Sequence, residues 1–164
     1  MASSESHQVT AEAARAKCLR LLSRRAQSEA ELRERLRRDG FAEGVTEEVL
    51  ADLAEAGLTD DQEFARAWVA SRRESGSSGR RKLAWELRRK GIAREVIARV
   101  LEEEIDETAE RRQAGELARR RLGGRTDAKE LSRLRRYLLG RGYGVETVDS
   151  VLQSIRQEDE HSFE

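Results

Sequence analysis

Apolar residues recur at helical spacing along most of the chain. In the segment ELRERLRRDG (31–40), Leu32 and Leu36 lie four residues apart and charged residues fill the positions between them. Residues three or four apart share one face of an α-helix, so this spacing predicts an amphipathic helix. Valine and isoleucine are sparse, and no stretch alternates apolar with polar residues over the length of a strand. The pattern therefore predicts an all-α fold.

The helical pattern repeats at a fixed offset of 51 residues. Segments 31–50, 82–101 and 133–152 align without a gap. The matched positions are Leu32, Leu83 and Leu134; Leu36, Leu87 and Leu138; Gly40, Gly91 and Gly142; Val49, Val100 and Val151; and Leu50, Leu101 and Leu152. Self-similarity at a fixed period is the signature of a repeat architecture. We therefore expect three tandem three-helix repeats that form an elongated, curved modular chain.

Each repeat carries its own helix boundaries. Gly40 follows a helix with a basic last turn, where a left-handed residue commonly ends the helix. A further helix is predicted to begin near Thr46, and another precedes each repeated segment. Ser28 with Glu31, and Thr59 with Gln62, have the spacing of capping boxes.

The repeats also predict the domain organisation. A three-helix unit of about 50 residues buries little core, so neighbouring units are expected to pack together. The Ser/Gly stretch at 75–79 is expected to be a flexible connection within the second repeat. The predicted division is a disordered tail over 1–10, repeats over 11–57, 58–105 and 106–156, and a disordered tail over 157–164.

Composition narrows the class of protein. The chain has 164 residues, which leaves no room for separate cofactor and substrate domains. No apolar run reaches the length of about 18 residues that a membrane span needs. The first ten residues lack the basic and apolar regions of a secretion signal, and a single cysteine suits a reducing compartment. We expect a soluble cytoplasmic protein.

Residues suited to catalysis are few. The two histidines, His7 and His161, lie in the predicted tails, and Cys18 lies on an apolar helical face without a histidine partner. No cluster has metal-ligand spacing, and no glycine-rich phosphate loop is present. Asp60 and Asp61 could hold a metal, but their place before a helix favours a capping role. We expect no catalytic residue, no metal, no cofactor and no enzymatic activity.

The charges cancel overall but are segregated along the chain. There are 32 basic and 32 acidic residues. Residues 72–94 carry a local net charge of +7 and residues 111–141 one of +8, whereas residues 39–63 hold nine acidic and no basic residues. The blocks are consistent with ion pairing between helices of opposite sign. They are also consistent with a basic surface for an anionic partner, and the strength of the segregation favours this second interpretation.

Both tryptophans lie in the second repeat. Trp68 aligns with Lys17 and Arg119, and Trp85 aligns with Glu34 and Arg136, so the sister repeats place charged residues at these positions. Extra apolar surface for packing between repeats is one interpretation. An exposed contact for a protein partner, or a platform on which bases stack, is the other. Trp85 points away from the leucine face of its helix and is the better contact candidate.

The motifs resemble those of the RecX family, bacterial regulators of the recombinase RecA. The resemblance covers residues 14–157. In the first repeat it rests on Leu21-Leu22, Arg25, Ser28-Glu29, Glu31-Leu32, Leu36 and Gly40-Phe41, followed by Gly57-Leu58, Asp60-Asp61 and Phe64-Ala65. The second and third repeats add LRRKGI (87–92) and the Leu138-Leu139 and Arg141-Gly142-Tyr143 elements.

The resemblance implies three tandem three-helix repeats and a function. A RecX-like protein would bind the RecA filament on single-stranded DNA and inhibit recombination, ATP hydrolysis and the co-protease activity behind the SOS response. Some members also bind DNA directly. Together with the basic blocks, the resemblance suggests a contact surface made of Arg80, Arg81, Lys82, Trp85, Arg88, Arg89, Lys90, Arg119, Arg120, Arg121, Arg133, Arg135 and Arg136.

Two other functions remain open at this point. A stand-alone single-stranded nucleic-acid-binding protein would bind free DNA tightly with a steep salt dependence, which the zero net charge disfavours. An inert helical scaffold would have no effect on a recombinase. Balanced charge and the absence of leucine-zipper heptads favour a monomer.

Overall fold

The computed structural model describes residues 2–74, 78–124 and 126–161. Within these ranges the chain forms nine α-helices and no strand, which confirms the all-α prediction. The helices are α1 (Ala2–Leu22), α2 (Glu29–Arg38), α3 (Glu43–Glu55), α4 (Asp61–Glu74), α5 (Arg80–Arg89), α6 (Arg94–Glu104), α7 (Glu107–Leu122), α8 (Ala128–Gly140) and α9 (Val145–His161).

The first compact unit contains residues up to Ala67 together with Leu87–Ile97. Helix α1 packs on α3, and α2 packs on both. Leu32 and Leu36, the predicted apolar face of α2, are fully buried. Cys18 is also fully buried, as its apolar surroundings predicted. The core of this unit is Ala14, Cys18, Leu32, Leu36, Val45, Val49, Leu50 and Leu53.

The second compact unit contains Trp68–Glu86 together with the described residues from Ala98 onward. Its core comes from α7, α8 and α9, which pack on one another. Leu134 and Leu138 are buried, as the repeat predicted. Tyr143, which follows the repeat glycine, is among the largest fully buried side chains. Burial raises the pKa of its hydroxyl to about 12.

Helix starts agree with the sequence at two positions and differ at two. Ser28 caps α2, and with Glu31 it forms the predicted capping box. At α4, Asp60 rather than Thr59 accepts the N–H groups of Gln62 (2.8 Å) and Glu63 (3.1 Å). This confirms the capping role predicted for Asp60, whereas the capping box predicted from Thr59 and Gln62 is wrong. Helix α3 begins at Glu43, three residues before the predicted start.

The two predicted tails are helical wherever the structure describes them. Helix α1 starts at Ala2, because Ala, Glu, Gln and Ser continue a helix without a breaker. Helix α9 continues to His161, and residues 162–164 lie outside the described residues. Residues 75–77 of the predicted flexible connection also lie outside them. The predicted repeat boundaries stay a prediction.

The start of α2 is fastened to the end of α5 within the first compact unit. The hydroxyl of Ser28 donates to the carbonyl of Lys90 at 2.6 Å, and the Lys90 ammonium pairs with Glu31 at 2.7 Å. The backbone N–H of Glu29 donates to Asp61 at 2.9 Å. Gly91 lies so close to Ala30 that a Cβ added there would meet the Ala30 Cβ at 2.2 Å.

The start of α5 is fastened to the end of α8 in the same way within the second compact unit. The N–H of Gly79 donates to the carbonyl of Arg141, and that of Arg81 donates to the carbonyl of Gly142. The N–H of Arg80 donates to Glu110 at 2.7 Å. Gly79 corresponds to Ser28 at the 51-residue offset, and Gly142 corresponds to Gly91. The sequence repeat is therefore matched by a repeated junction.

Candidate functional site

Helix α5 carries Trp85, the aromatic residue of the predicted contact surface. Leu83 and Leu87 are fully buried, which turns the opposite side of the helix outward. Trp85 is 51% exposed, so the predicted orientation is confirmed. Arg81 lies four residues before it and Arg89 four residues after it, and both are exposed. At that spacing cationic side chains flank the indole along the helix surface.

Three basic residues of the predicted contact surface, Arg80, Lys82 and Lys90, make contacts within the protein. The Arg80 guanidinium donates to the carbonyl of Ile105 at 2.9 Å, and its Nε is buried. Lys82 packs against Gly142, where an added Cβ would meet the Lys82 Cβ at 2.4 Å. Lys90 is paired with Glu31. Of the predicted α5 block, Arg81, Trp85, Arg88 and Arg89 are exposed to solvent.

The predicted arginines of α7 and α8 are exposed except Arg135, which is half-buried, and most of them have acidic or aromatic neighbours. Arg119 pairs with Glu158 at 2.6 Å, and Arg135 pairs with Asp149 at 3.1 Å. Arg133 pairs with Glu130 on its own helix. The Arg121 guanidinium lies 4.1 Å from the centroid of the Tyr137 ring. Arg120 and Arg136 are also exposed, so the basic potential of this block is partly offset rather than uniform.

Trp68 has a different environment from Trp85. It is partly buried, and its indole N–H donates to Glu86 at 2.9 Å. The Arg72 guanidinium lies 4.6 Å from the ring centroid and pairs with the same carboxylate at 3.0 Å. This arrangement fastens α4 to α5 within the second compact unit, which favours packing as the role of Trp68.

A basic cleft of about 680 Å³ lies in the first compact unit. It brings the predicted Arg88, Arg89 and Lys90 together with four arginines that sequence reasoning missed. We call it the basic cleft, and its lining residues are Leu21, Arg24, Arg25, Gln27, Ala30, Glu31, Glu34, Arg35, Arg38, Arg88, Arg89, Lys90 and Gly91. Their adjacency follows from the Ser28–Lys90 junction, which no short-range pattern reveals.

The two carboxylates in the basic cleft are held ionised. Burial opposes ionisation of Glu31, but the hydrogen bonds from Lys90 and the Ser28 N–H outweigh it and lower its pKa. Hydrogen bonds from Arg37 and Arg38 lower the pKa of Glu34 to about 2. Seven basic and two acidic side chains line the cleft, so its lining is strongly positive at neutral pH.

Cys18, Asp60 and Asp61 take part in core packing or in helix capping. Over the described ranges, no group of three or more His, Cys, Asp or Glu side chains is placed to hold a metal ion. Burial raises the pKa of the Cys18 thiol, which disfavours the reactive thiolate. Asp60 caps α4, and Asp61 accepts the N–H of Glu29 while burial raises its pKa. None of the helices in these ranges is both long and apolar enough to cross a membrane.

Comparison with known proteins gives a consistent set of relatives. The models of the first and second three-helix domains of RecX match residues 14–53 and 60–101. A regulatory protein RecX of Mycobacterium leprae is 43% identical over 144 residues, which cover 86% of this chain and 84% of that protein. A regulatory protein RecX of Mycobacteroides abscessus is 47% identical over 140 residues, with coverage of 84% and 69%.

A solved structure has the same fold. The crystal structure of RecX from Lactobacillus salivarius superposes with a TM-score of 0.85, covering 92% of this chain and 99% of that one. At 18% sequence identity, this likeness shows the fold alone.

Proposed function

Because the chain belongs to the RecX family, we propose that it is a negative regulator of RecA that acts by binding and not by catalysis. It binds the RecA filament on single-stranded DNA and inhibits its recombinase, ATPase and co-protease activities. It thereby modulates homologous recombination, DNA repair and the SOS response in the cytoplasm.

The structural observation that supports this proposal is the exposed Trp85, which is flanked by cationic side chains on α5. An aromatic side chain that is half exposed is an anchor of the kind that dominates binding energy at protein interfaces. Neighbouring Arg81 and Arg89 supply charge for acidic protein groups or phosphates. The junction between α5 and α8 holds the helix in place, so the anchor is presented on a rigid element.

The predicted arginines of the second compact unit supply further charge for the filament. Arg120 and Arg136 contribute positive charge, while Arg119, Arg133 and Arg135 exchange their present carboxylate partners for groups of the filament. Exposed ion pairs contribute only about 0–1 kcal/mol each, so breaking them for such an exchange costs little free energy. Bound along the filament, the chain excludes the incoming duplex or weakens contacts between RecA subunits.

Binding to preformed filaments tests the proposal. Single-stranded oligonucleotide is immobilised, coated with RecA and ATP, and exposed to the full chain; bare oligonucleotide is measured in parallel at the same salt concentration. We expect tight binding to the filament and weak binding to bare DNA. Equal or tighter binding to bare DNA would instead favour a stand-alone single-stranded nucleic-acid-binding protein, for which the tryptophan and its cationic neighbours are also suited.

Matched variants then locate the surface. Trp85→Ala should weaken filament binding by at least tenfold, because hot-spot aromatic side chains contribute about 2 kcal/mol or more. The triple reversal Arg81→Glu, Arg120→Glu and Arg136→Glu should also weaken it. The control reverses three exposed basic residues outside the predicted set, by Arg94→Glu, Lys129→Glu and Arg156→Glu. Equal losses in both triple variants would refute a defined surface.

A further inference from the structure

The basic cleft combines a positive lining with apolar surface. Seven basic side chains face two carboxylates, both of which are already in ion pairs: Glu31 with Lys90 at 2.7 Å and Glu34 with Arg38 at 2.8 Å. Leu21 and Ala30, each partly buried, also line the cleft. A ligand that fits it must therefore bring several negative charges and some aliphatic surface.

The cleft is preformed by the junction described above. The Ser28 hydroxyl bonds to the carbonyl of Lys90 at 2.6 Å, so the basic end of α5 is held against the start of α2. The close approach of Gly91 to Ala30 leaves no room for the two segments to move closer. Binding to a preformed site loses little conformational entropy, because its side chains and backbone are already ordered.

The lining favours a peptide over a nucleic acid. The lining includes no aromatic side chain among the described residues, whereas stacking on aromatic rings contributes about 1–3 kcal/mol per base to single-strand binding. Arginine forks match carboxylates and phosphates alike, but a peptide also brings aliphatic side chains that can pack on Leu21 and on the arginine stems. We propose that the basic cleft binds an acidic segment of a partner protein that carries aliphatic residues between its carboxylates. Such binding does not require that the partner be RecA.

Two probes of equal charge test this partner chemistry. One is a fluorescein-labelled, C-terminally amidated peptide, four repeats of Glu-Glu-Leu, with eight carboxylates. The other is a labelled oligothymidylate of nine nucleotides, with eight phosphodiesters. Fluorescence anisotropy with the full chain at constant salt gives both dissociation constants. We expect the peptide to bind more tightly than the oligonucleotide, and the same peptide with Gln in place of Glu to show no binding.

A double variant assigns the binding to the cleft. Arg24→Gln with Arg35→Gln removes two exposed charges from the lining and should weaken peptide binding about tenfold. Arg94→Gln with Arg156→Gln removes two exposed charges elsewhere and should change it less than about twofold. Both variants should nearly keep the wild-type melting curve, because all four side chains are exposed. The ion pair that Arg35→Gln removes, with Asp39 at 3.7 Å, is also exposed and contributes about 0–1 kcal/mol.

Three outcomes would overturn the proposal. Equal weakening by the two double variants would show that the peptide responds only to overall charge. Oligonucleotide binding as tight as peptide binding, with the same dependence on Arg24 and Arg35, would make the cleft a nucleic-acid site. Absence of peptide binding would remove the site altogether. Each of these results is independent of whether the chain binds the RecA filament.

Discussion

Replacing Gly91 with alanine should cost the protein more stability than the same replacement at Gly40. Both glycines follow the second helix of a repeat and have positive φ angles, +77° and +85°. Their surroundings differ, because a Cβ at Gly91 would meet the Ala30 Cβ at 2.2 Å, whereas one at Gly40 meets nothing within 4 Å. The pair therefore separates backbone strain from the contact at the junction.

The magnitudes follow from these distances. A non-glycine residue in the left-handed region costs about 1 kcal/mol, and both variants incur this cost. Carbon atoms pack at about 3.5–4.0 Å, so the Gly91→Ala variant must also move α2 away from α5 or accept overpacking, at about 1–3 kcal/mol. We expect a loss of about 1 kcal/mol for Gly40→Ala and of about 2–4 kcal/mol for Gly91→Ala.

Equilibrium urea unfolding followed by circular dichroism measures both losses. The added variant Ala30→Gly relieves the overlap but places glycine in a helix, which itself costs about 1 kcal/mol. A double-mutant cycle between Gly91→Ala and Ala30→Gly should therefore show a favourable coupling of at least about 1 kcal/mol. Equal losses for the two glycine variants, or no coupling in the cycle, would refute the junction as described.

Three further predictions concern single side chains. The folded pKa of Glu31 is lowered, so the stabilisation from its carboxylate is present at neutral pH and is lost progressively as pH falls from about 4 through the folded pKa. Glu31→Gln should therefore lower the urea midpoint more at pH 7 than at pH 3, and an equal effect at both would contradict the pairing with Lys90. The buried Tyr143 hydroxyl has no hydrogen-bond partner among the described residues. Tyr143→Phe should therefore raise stability by up to about 1 kcal/mol in urea unfolding, where a clear loss would show a bond to that hydroxyl. Trp68→Ala should lower the melting temperature because it removes the donor to Glu86, whereas the exposed Trp85→Ala should leave it nearly unchanged, and the reverse order would contradict their assigned roles.

Much of the fold is predictable from local pattern. Leu32 and Leu36 predict one buried helical face, and the 51-residue offset extends it to the other repeats. The position of Trp85, two residues from both Leu83 and Leu87, predicts its exposure. The offset alone does not, because Trp68 also aligns with charged residues and is partly buried. The predicted start of α3 is three residues too late, because the N-cap residue Ala42 makes no side-chain hydrogen bond to the helix and so leaves no sequence signal.

The site is less predictable, because it depends on contacts between distant segments. Arg24 and Arg35 lie more than 50 residues before Arg88 in the sequence, and only the docking of Ser28 on Lys90 brings them to one cleft. The local net charge of residues 111–141 likewise overstates how much of their positive charge is without a nearby carboxylate. The carboxylates that offset Arg119 and Arg135 come from α9, outside that block.

Inhibition of RecA's DNA-dependent ATP hydrolysis on single-stranded DNA tests the proposed regulation most directly. The full chain is titrated from well below one copy per RecA subunit, and its binding to bare DNA is measured at the same salt concentration. We predict inhibition at substoichiometric ratios together with weak binding to bare DNA. Unchanged ATP hydrolysis up to equimolar chain, with tight binding to bare DNA, would contradict filament regulation.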